Sequence, residues 1–390
     1  MRKICIFVGS RANYSSIRSV MKAVRDHNEL QLQTIIGASA ILDRYGNIEK
    51  LLIEDGFEIN CKLHMIVEGE NPTTMAKSTG LGIIDLSAIF NNLEPDVLLV
   101  VGDRFDVAAP VITASFMNIP VAHIMGGEVS GTIDESIRHA ITKMSHIHFP
   151  ANEDARQRII KMGENSELVF NVGCPRIDLV EECLKEFRNG NGFEQDAFFN
   201  KYKGVGGRFN LLKEKFLLVS QHSVTTEYGN NRKHIEETLY ALNNLQMPTI
   251  MLWPNADAGS DEISKGIRTF RETYRPDWLH LFINLPVKTY IKLMEMCTCL
   301  VGNSSSAIRE GAFIGVPSVN IGTRQNGRLI GDNVLNADYC RKDIEKKIRK
   351  QIKIGKYPPS KIYGDGNAGK KIVEILRNLN NVSAQKRITY

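Results

Sequence analysis

Short apolar runs rich in Val and Ile alternate with amphipathic helical stretches along the chain, and no other feature restricts the fold as much. "KICIFVG" leads into "SSIRSVMKAVRD", "LQTIIG" into "NIEKLLIEDG", "DVLLVVGD" into "FDVAAPVITASFMN" and "PVAHIMGG" into "DESIRHAITKMS". Strands kept apart by helices cannot pair as hairpins; they build βαβ units around a parallel sheet. "HIHFPA" and "LVFNVG" read as two further strands. After about Gly173 the pattern breaks in "EECLKEFRNGNGFEQDAFFNKYKGVGGRFNLLKEK", which is charged and punctuated by glycine. It resumes in "FLLVS", "PTIMLWP", "LHLFINLP", "TCLVG" and "PSVNIG".

A chain of 390 residues is too long for one ordinary core. The expected architecture is therefore α/β, with two doubly wound parallel-sheet domains, 1–175 and 176–366, and a cleft between them. Within 367–390, a helix near Ala368 to Asn378 is expected to return to the first domain, and the tail "NVSAQKRITY" to fray.

Charge and cysteine content narrow the functional classes. A net charge of +5 from scattered lysines and arginines, without aromatic RNP strings or zinc-finger spacings, suits a small anionic substrate as well as it suits nucleic acid. Seven cysteines in no framework spacing read as reduced core residues. The apolar run at the N-terminus is too short for a signal peptide, and no run approaches the ~20 residues of a membrane helix. A cytoplasmic, unanchored protein is expected. No zinc or iron ligand spacing occurs, and His146 and His148 in "SHIHF" are taken to face opposite sides of a strand.

Ligands of open α/β sheets bind outside the carboxyl ends of the strands, so polar residues directly after each strand carry most weight. In "GNSSSAIRE", Ser304 and Ser305 stand at a strand-to-helix turn, where unpaired N–H groups suit phosphate oxygens. The same serines would equally suit a plain helix cap. Glu310 follows at a distance that suits ribose hydroxyls, and Arg324 in "NIGTRQ" is a second phosphate clamp. Arg11 and Ser15 repeat the idea in "FVGSRANYSS", without the GxGxxG of a dinucleotide fold. Asp103 and Arg104 close "VVGDRFD", Asp103 as either a helix cap or a reactive carboxylate.

The densest stretch is "AHIMGGEVSGTIDESIRHA", with His123 near a strand end, then Glu128 and Asp134, and Arg138 one helical turn beyond Asp134. Asp134 and Arg138 are either a salt bridge or part of an acid/base set oriented by an arginine. "VSQHSVTTEYG" adds His222, and "LWPNADAGS" adds Asn255 and Asp257.

Together "GDRFD", "GGEVSGTIDESIRHAITK", "QHSVTTEYG", "PNADAGS", "GNSSSAIREGA", "IGTRQNGR" and "YGDGNA" resemble the hydrolysing UDP-N-acetylglucosamine 2-epimerases, in register from about Arg2 to Ala368. The resemblance implies a GT-B-like pair of Rossmann-type domains with a central cleft, assembled as a homodimer or homotetramer. It places Arg11, Ser15, Arg104, His222, Asn255, Ser304, Ser305, Glu310 and Arg324 around UDP, with Leu285 at the uracil. Asp103, Glu128, Asp134 and Arg138 fall on the catalytic side, and His123 is taken with them. The implied reaction eliminates UDP to an unsaturated glycal, then adds water with inversion at carbon 2, releasing N-acetylmannosamine for sialic-acid-type biosynthesis. It needs neither cofactor nor metal, and its ligand is a UDP-linked sugar rather than nucleic acid or membrane.

Three positions depart from the family pattern: Val101 and Ala40 where histidine is common, and Met125 where glutamate or histidine is usual. One reading is a less polar sugar, a UDP-2,4-diacetamido-2,4,6-trideoxy hexose of a legionaminic-type pathway; the other keeps the substrate and shifts the catalytic set. A catalytically silent UDP-sugar-binding protein and a GT-B glycosyltransferase are the remaining alternatives.

Overall fold

The computed structural model describes every residue except 44–47, 69–71, 131–132, 191–192, 203, 225–226, 255–258, 284, 380–381 and 390. The chain folds into two units. One comprises Met1–Val129, Ile133–Leu179 and Tyr363–Tyr390, the other Val180–Ile362 with Ser130–Thr132.

The first unit runs β1 (Arg2–Val8), α1 (Arg11–Arg25), β2 (Leu30–Gly37), α2 (Ile48–Glu54), β3 (Cys61–Leu63), α3 (Pro72–Leu93), β4 (Val97–Val101), α4 (Phe105–Phe116), β5 (Val121–Ile124), α5 (Ile133–Met144), β6 (Ile147–Phe149) and α6 (Glu153–Lys161), and ends in α7 (Pro175–Arg188). Its strands are ordered β3-β2-β1-β4-β5-β6 and pair in parallel. Side chains alternate across the sheet. On β1, Ile4, Ile6 and Val8 enter one core with Ile17, Val20 and Met21 of α1. Cys5 and Phe7 enter the opposite core with Leu86 and Phe90 of α3 and Val107 and Val111 of α4. A sheet covered on both faces explains why its strands read as unbroken apolar runs.

The second unit continues with α8 (Gln195–Lys201), β7 (Val205–Gly206), β8 (Leu217–Ser220), α9 (Asn231–Leu245), β9 (Thr249–Leu252), α10 (Ser260–Tyr274), β10 (Leu279–Phe282), α11 (Val287–Met296), β11 (Cys299–Gly302), α12 (Glu310–Ile314), β12 (Ser318–Ile321), β13 (Val334–Ala337) and α13 (Arg341–Ile354). The strand order is β13-β12-β11-β8-β9-β10-β7, parallel except for β7 on β10. Last comes α14 (Ala368–Asn378), which belongs to the first unit. Ile372, Val373 and Leu376 of α14 join the α1 side of that unit's core. Its N-terminus is capped from α7, where the Asp178 carboxylate accepts from Ala368 N (2.9 Å) and Gly369 N (2.7 Å).

Three local expectations fail. "LVFNVG" is no strand: a 3₁₀ turn spans Ser166–Leu168, and Val169 meets His148 in a single bridge. Within the tail, 382–389 are held, because His146 Nε2–H donates to Ala384 O (2.9 Å) and Thr389 N to Gly163 O (3.0 Å). Lys386 also forms an ion pair with the buried Glu164 (2.6 Å). Finally, residues two apart on a strand share a face. His148 donates to Glu164 (3.0 Å), and the charges of Glu164 and Lys386 act on His146 as well.

Burial alone would raise the Glu164 carboxyl, but hydrogen bonds from His148, Lys143 and Lys386 outweigh it and bring the pKa down to about 2. A depressed folded-state pKa means that the stabilisation is full above the ordinary value of 4.5 and is lost as pH falls toward about 2. Glu164→Gln should therefore flatten the dependence of melting temperature on pH across that window. A slope equal to wild type would exclude Glu164 as its source.

Among the described residues, no helix is long and apolar enough to cross a membrane. Cys297 and Cys299 are buried and free.

Candidate functional site

In each unit, most of the predicted residues follow the carboxyl ends of strands at or next to the point where strand order reverses, the place where open α/β sheets bind ligands. In the first unit that point lies between β1 and β4, and in the second between β8 and β11.

In the first unit, Gly9 follows β1, and Ser10 caps α1 by accepting from Asn13 N (3.1 Å). Arg11 is the first residue of that helix and is partly exposed. Ser15 is buried, with its hydroxyl donating back to Arg11 O (2.9 Å), so its oxygen lone pairs rather than its proton remain for a ligand. Asn13 Nδ2 donates to Val101 O (2.8 Å) and ties the start of α1 to the end of β4. After β4 come Asp103 and Arg104, the latter at the N-cap of α4.

Arg138 organises the carboxylate side. Its side chain is 4% exposed, and its guanidinium forms an ion pair with Asp103, itself 24% exposed. A second N–H of the same fork donates to Glu128 O (2.7 Å), so one buried arginine joins the loops after β4 and β5. Asp134 lies one turn before it on α5, partly buried. The i,i+4 spacing thus marked an arginine whose fork reaches another strand end.

His123, taken with the catalytic set, lies inside the fold. It is 0% exposed and donates through Nε2–H to Gly102 O (2.9 Å), with Nδ1 at 3.4 Å from Thr142 Oγ1. Burial pushes its pKa down to about 3, against the pull of the Gly102 hydrogen bond. In this arrangement the imidazole is neutral and braces the β4 and β5 ends.

Val101 and Ala40 also face inward, whereas Met125 is only partly buried. Val101 and Ala40 are buried in the core that α1 shares with β1. Met125 packs against the same core, and the Cys174 thiol meets its sulfur at 3.8 Å.

In the second unit Asn303 is the hub. It is 1% exposed, accepts from His222 N (2.7 Å) through Oδ1 and donates to His222 O (2.8 Å) through Nδ2. Its own carbonyl accepts from Gln325 (2.8 Å) and Arg324 (3.4 Å). One side chain and one carbonyl thereby hold together the loops after β8, β11 and β12. His222 is 8% exposed, and its Nε2 lies 3.1 Å from Ser220 Oγ. Burial first, and then Arg324, push its pKa down to about 3, so it stays neutral at physiological pH.

The serine loop does not run straight into an α-helix. Ser304 caps a 3₁₀ turn over Ser305–Ala307, and α12 is only five residues long. So short a helix adds little dipole, which leaves loop N–H groups and hydroxyls as the candidate anion donors. Ser304 Oγ lies 2.9 Å from Ser306 Oγ, which in turn lies 3.0 Å from Tyr290 OH, a relay that fixes the first hydroxyl. Glu310 and Leu285 are buried, Arg324 is partly exposed, and Asn255 lies outside the described residues, as does Asp257.

Gly302 makes this loop possible. Its φ is +128°, and a Cβ there would stand 2.1 Å from Ser220 O. Gly302→Ala should destabilise the protein by more than about 1 kcal/mol. Thermal denaturation reads this directly, and an unchanged melting temperature would contradict it.

Reading strand ends for charge overlooked Asn303, Gln325 and Asp106. Asp106 is 2% exposed and lies 3.5 Å from Arg104 Nε, and a Cβ on Gly9 would stand 2.1 Å from its Oδ2. Burial raises its pKa, with Arg104 opposing. The signal available was Gly9 directly after an apolar strand, which marks a close approach.

The model of the UDP-N-acetylglucosamine 2-epimerase family matches residues 22–377. A hydrolysing UDP-N,N'-diacetylbacillosamine 2-epimerase of Legionella pneumophila is 32% identical over 379 residues, 97% of this chain and 96% of that protein. A UDP-N-acetylglucosamine 2-epimerase of Neisseria meningitidis is 28% identical over 392 residues, 99% of this chain and 98% of that protein. Among solved structures, the UDP-GlcNAc 2-epimerase from Neisseria meningitidis bound to UDP-GlcNAc superimposes with a TM-score of 0.81 at 18% identity, covering 97% of this chain and 100% of that one.

Proposed function

The chain belongs to the UDP-N-acetylglucosamine 2-epimerase family, and from that premise we propose that it is a hydrolysing 2-epimerase, converting UDP-N-acetylglucosamine and water to N-acetylmannosamine and UDP. The observation that carries this reading is Asp103, paired with buried Arg138 at the end of a central strand. The pair keeps a carboxylate in a fixed position and ready for proton transfer.

A base removes the proton from carbon 2, the bond from carbon 1 to UDP breaks, and its electron pair leaves with the diphosphate. Water then adds to carbon 1 of the glycal while a proton returns to the opposite face of carbon 2. Asp103 and Asp134 are the groups assigned to these transfers, with Glu128 beside them and Arg138 orienting Asp103. A proton at carbon 2 is weakly acidic, so stabilising the leaving group must contribute heavily. That role falls to Arg11, Arg104, Arg324, Ser304, Ser305 and the N–H of neutral His222, with Glu310 on the ribose and Leu285 at the uracil. Each step moves a proton or breaks a carbon–oxygen bond with its electron pair, so this route requires no hydride acceptor.

A second substrate, a UDP-2,4-diacetamido-2,4,6-trideoxy hexose, is favoured by one observation, the 32% identity to the Legionella enzyme against 28% to the Neisseria one. Proton NMR in D₂O with each nucleotide sugar tests both. Release of UDP with the 2-epimeric sugar deuterated at carbon 2 supports hydrolysing epimerisation and names the substrate. Release of UDP-linked epimer would make the enzyme non-hydrolysing. Binding of UDP with neither sugar converted would leave a silent binder.

A further inference from the structure

The C-terminal carbonyls of a helix have no partner within the helix and carry partial negative charge. At the end of α5 they meet an ammonium group from far along the chain. Lys386 Nζ donates to Lys143 O (2.7 Å), to Ser145 O and, at 3.4 Å, to Thr142 O. The same ammonium forms an ion pair with Glu164 (2.6 Å), whose side chain is 3% exposed. Glu164 in turn holds Lys143 of α5 (2.6 Å) and His148 of β6 (3.0 Å). His148 stands beside His123 in the β5–β6 register. All of these groups lie in the first unit.

The other end of α5 carries Asp134 and Arg138. Thr142 links the two ends: its hydroxyl donates to Arg138 O (2.9 Å), and its carbonyl accepts from Lys386. We propose that Lys386 is a positioning residue for proton transfer, fixing α5 along its axis so that Arg138 holds Asp103 at the β4 end. A displacement of about 1 Å at a reacting group is enough to cost a large factor in rate. A cation clamped to one end of a rigid helix is a direct way of preventing one. The inference rests on the functional reading above and adds to it a determinant outside the strand-end loops.

Lys386→Met and Lys386→Arg provide the test, with steady-state kinetics on the converted nucleotide sugar and calorimetry of UDP binding. The methionine variant should lose at least about tenfold in kcat, with KM and UDP affinity within twofold of wild type. The arginine variant, which keeps the charge and the donors, should recover most of the loss. Wild-type kcat in a folded Lys386→Met overturns the inference, as does a fall in kcat matched by equal losses in KM and UDP affinity. Should the methionine variant not fold, Lys386→Gln keeps donors for the carbonyls without the charge. Lowered kcat at constant KM then supports the inference, and unchanged kcat overturns it. A wild type that binds UDP but converts neither sugar overturns the functional reading and takes this inference with it, whereas an active wild type beside an unaffected variant overturns this inference alone.

Discussion

Asp103→Asn should lower kcat by about 10²–10⁴-fold, the range expected when a positioned acid/base group is removed, while UDP affinity stays within twofold. Asparagine keeps the shape of the side chain but takes up no proton. It also removes the anion from Arg138, whose side chain is only 4% exposed. Breaking a buried pair by removing one partner is costly, up to about 3–5 kcal/mol. The partial exposure of Asp103, at 24%, lets water replace some of that interaction and reduces the cost. A fall in melting temperature should therefore accompany the kinetic loss. Asp103→Glu separates the two effects, since it restores the charge in a displaced position and should recover stability more than rate. A kcat for Asp103→Asn within tenfold of wild type would remove Asp103 from the proton-transfer step.

Asn303→Ala should weaken UDP binding more than tenfold and lower the melting temperature together. The substitution strands His222 N and His222 O, each held by the amide at 2.7 and 2.8 Å. A buried polar group left without a partner costs about 1–3 kcal/mol. The loop after β8 is then free to leave the serine loop, and the neutral His222 ring goes with it. Asn303→Asp gives the contrast, because it still accepts from His222 N but opposes His222 O with a second acceptor, and it should be no better than alanine. Calorimetry with UDP checks the prediction, and unchanged affinity in the alanine variant would mean that the loops hold their places without this hub.

Much of the architecture was legible because its physical basis is local. Val- and Ile-rich strands buried on both faces look the same in one dimension as in three, which is why "KICIFVG", "DVLLVVGD", "FLLVS" and "TCLVG" became β1, β4, β8 and β11. "LVFNVG" has the same composition but found only one bridging partner, and strand formation depends on neighbours that composition does not specify.

The site divides along the same line. Charged residues after strands announce themselves, and Asp103, Glu128 and Arg138 were found that way and are joined in space. His123 carries an equally reactive side chain, yet the structure closes it off under Gly102 and Thr142, because exposure belongs to the packed state. Neutral Asn303 gave no chemical signal, and its importance arises only where three loops converge. Lys386 lies among residues that look like a solvated tail until the open carbonyls of α5 and the buried Glu164 supply its partners.

The sequence by itself determined the alternation of strand and helix, the two doubly wound series and the charged groups at strand ends, since hydrophobic period and residue chemistry are properties of neighbouring positions. Only the tertiary structure decided the strand order that sets each switch point, the inward burial of Val101 and Ala40, and the pairing of Arg138 with Asp103. Those outcomes depend on contacts between residues distant in the chain, whose energies exist only once both surfaces have left water.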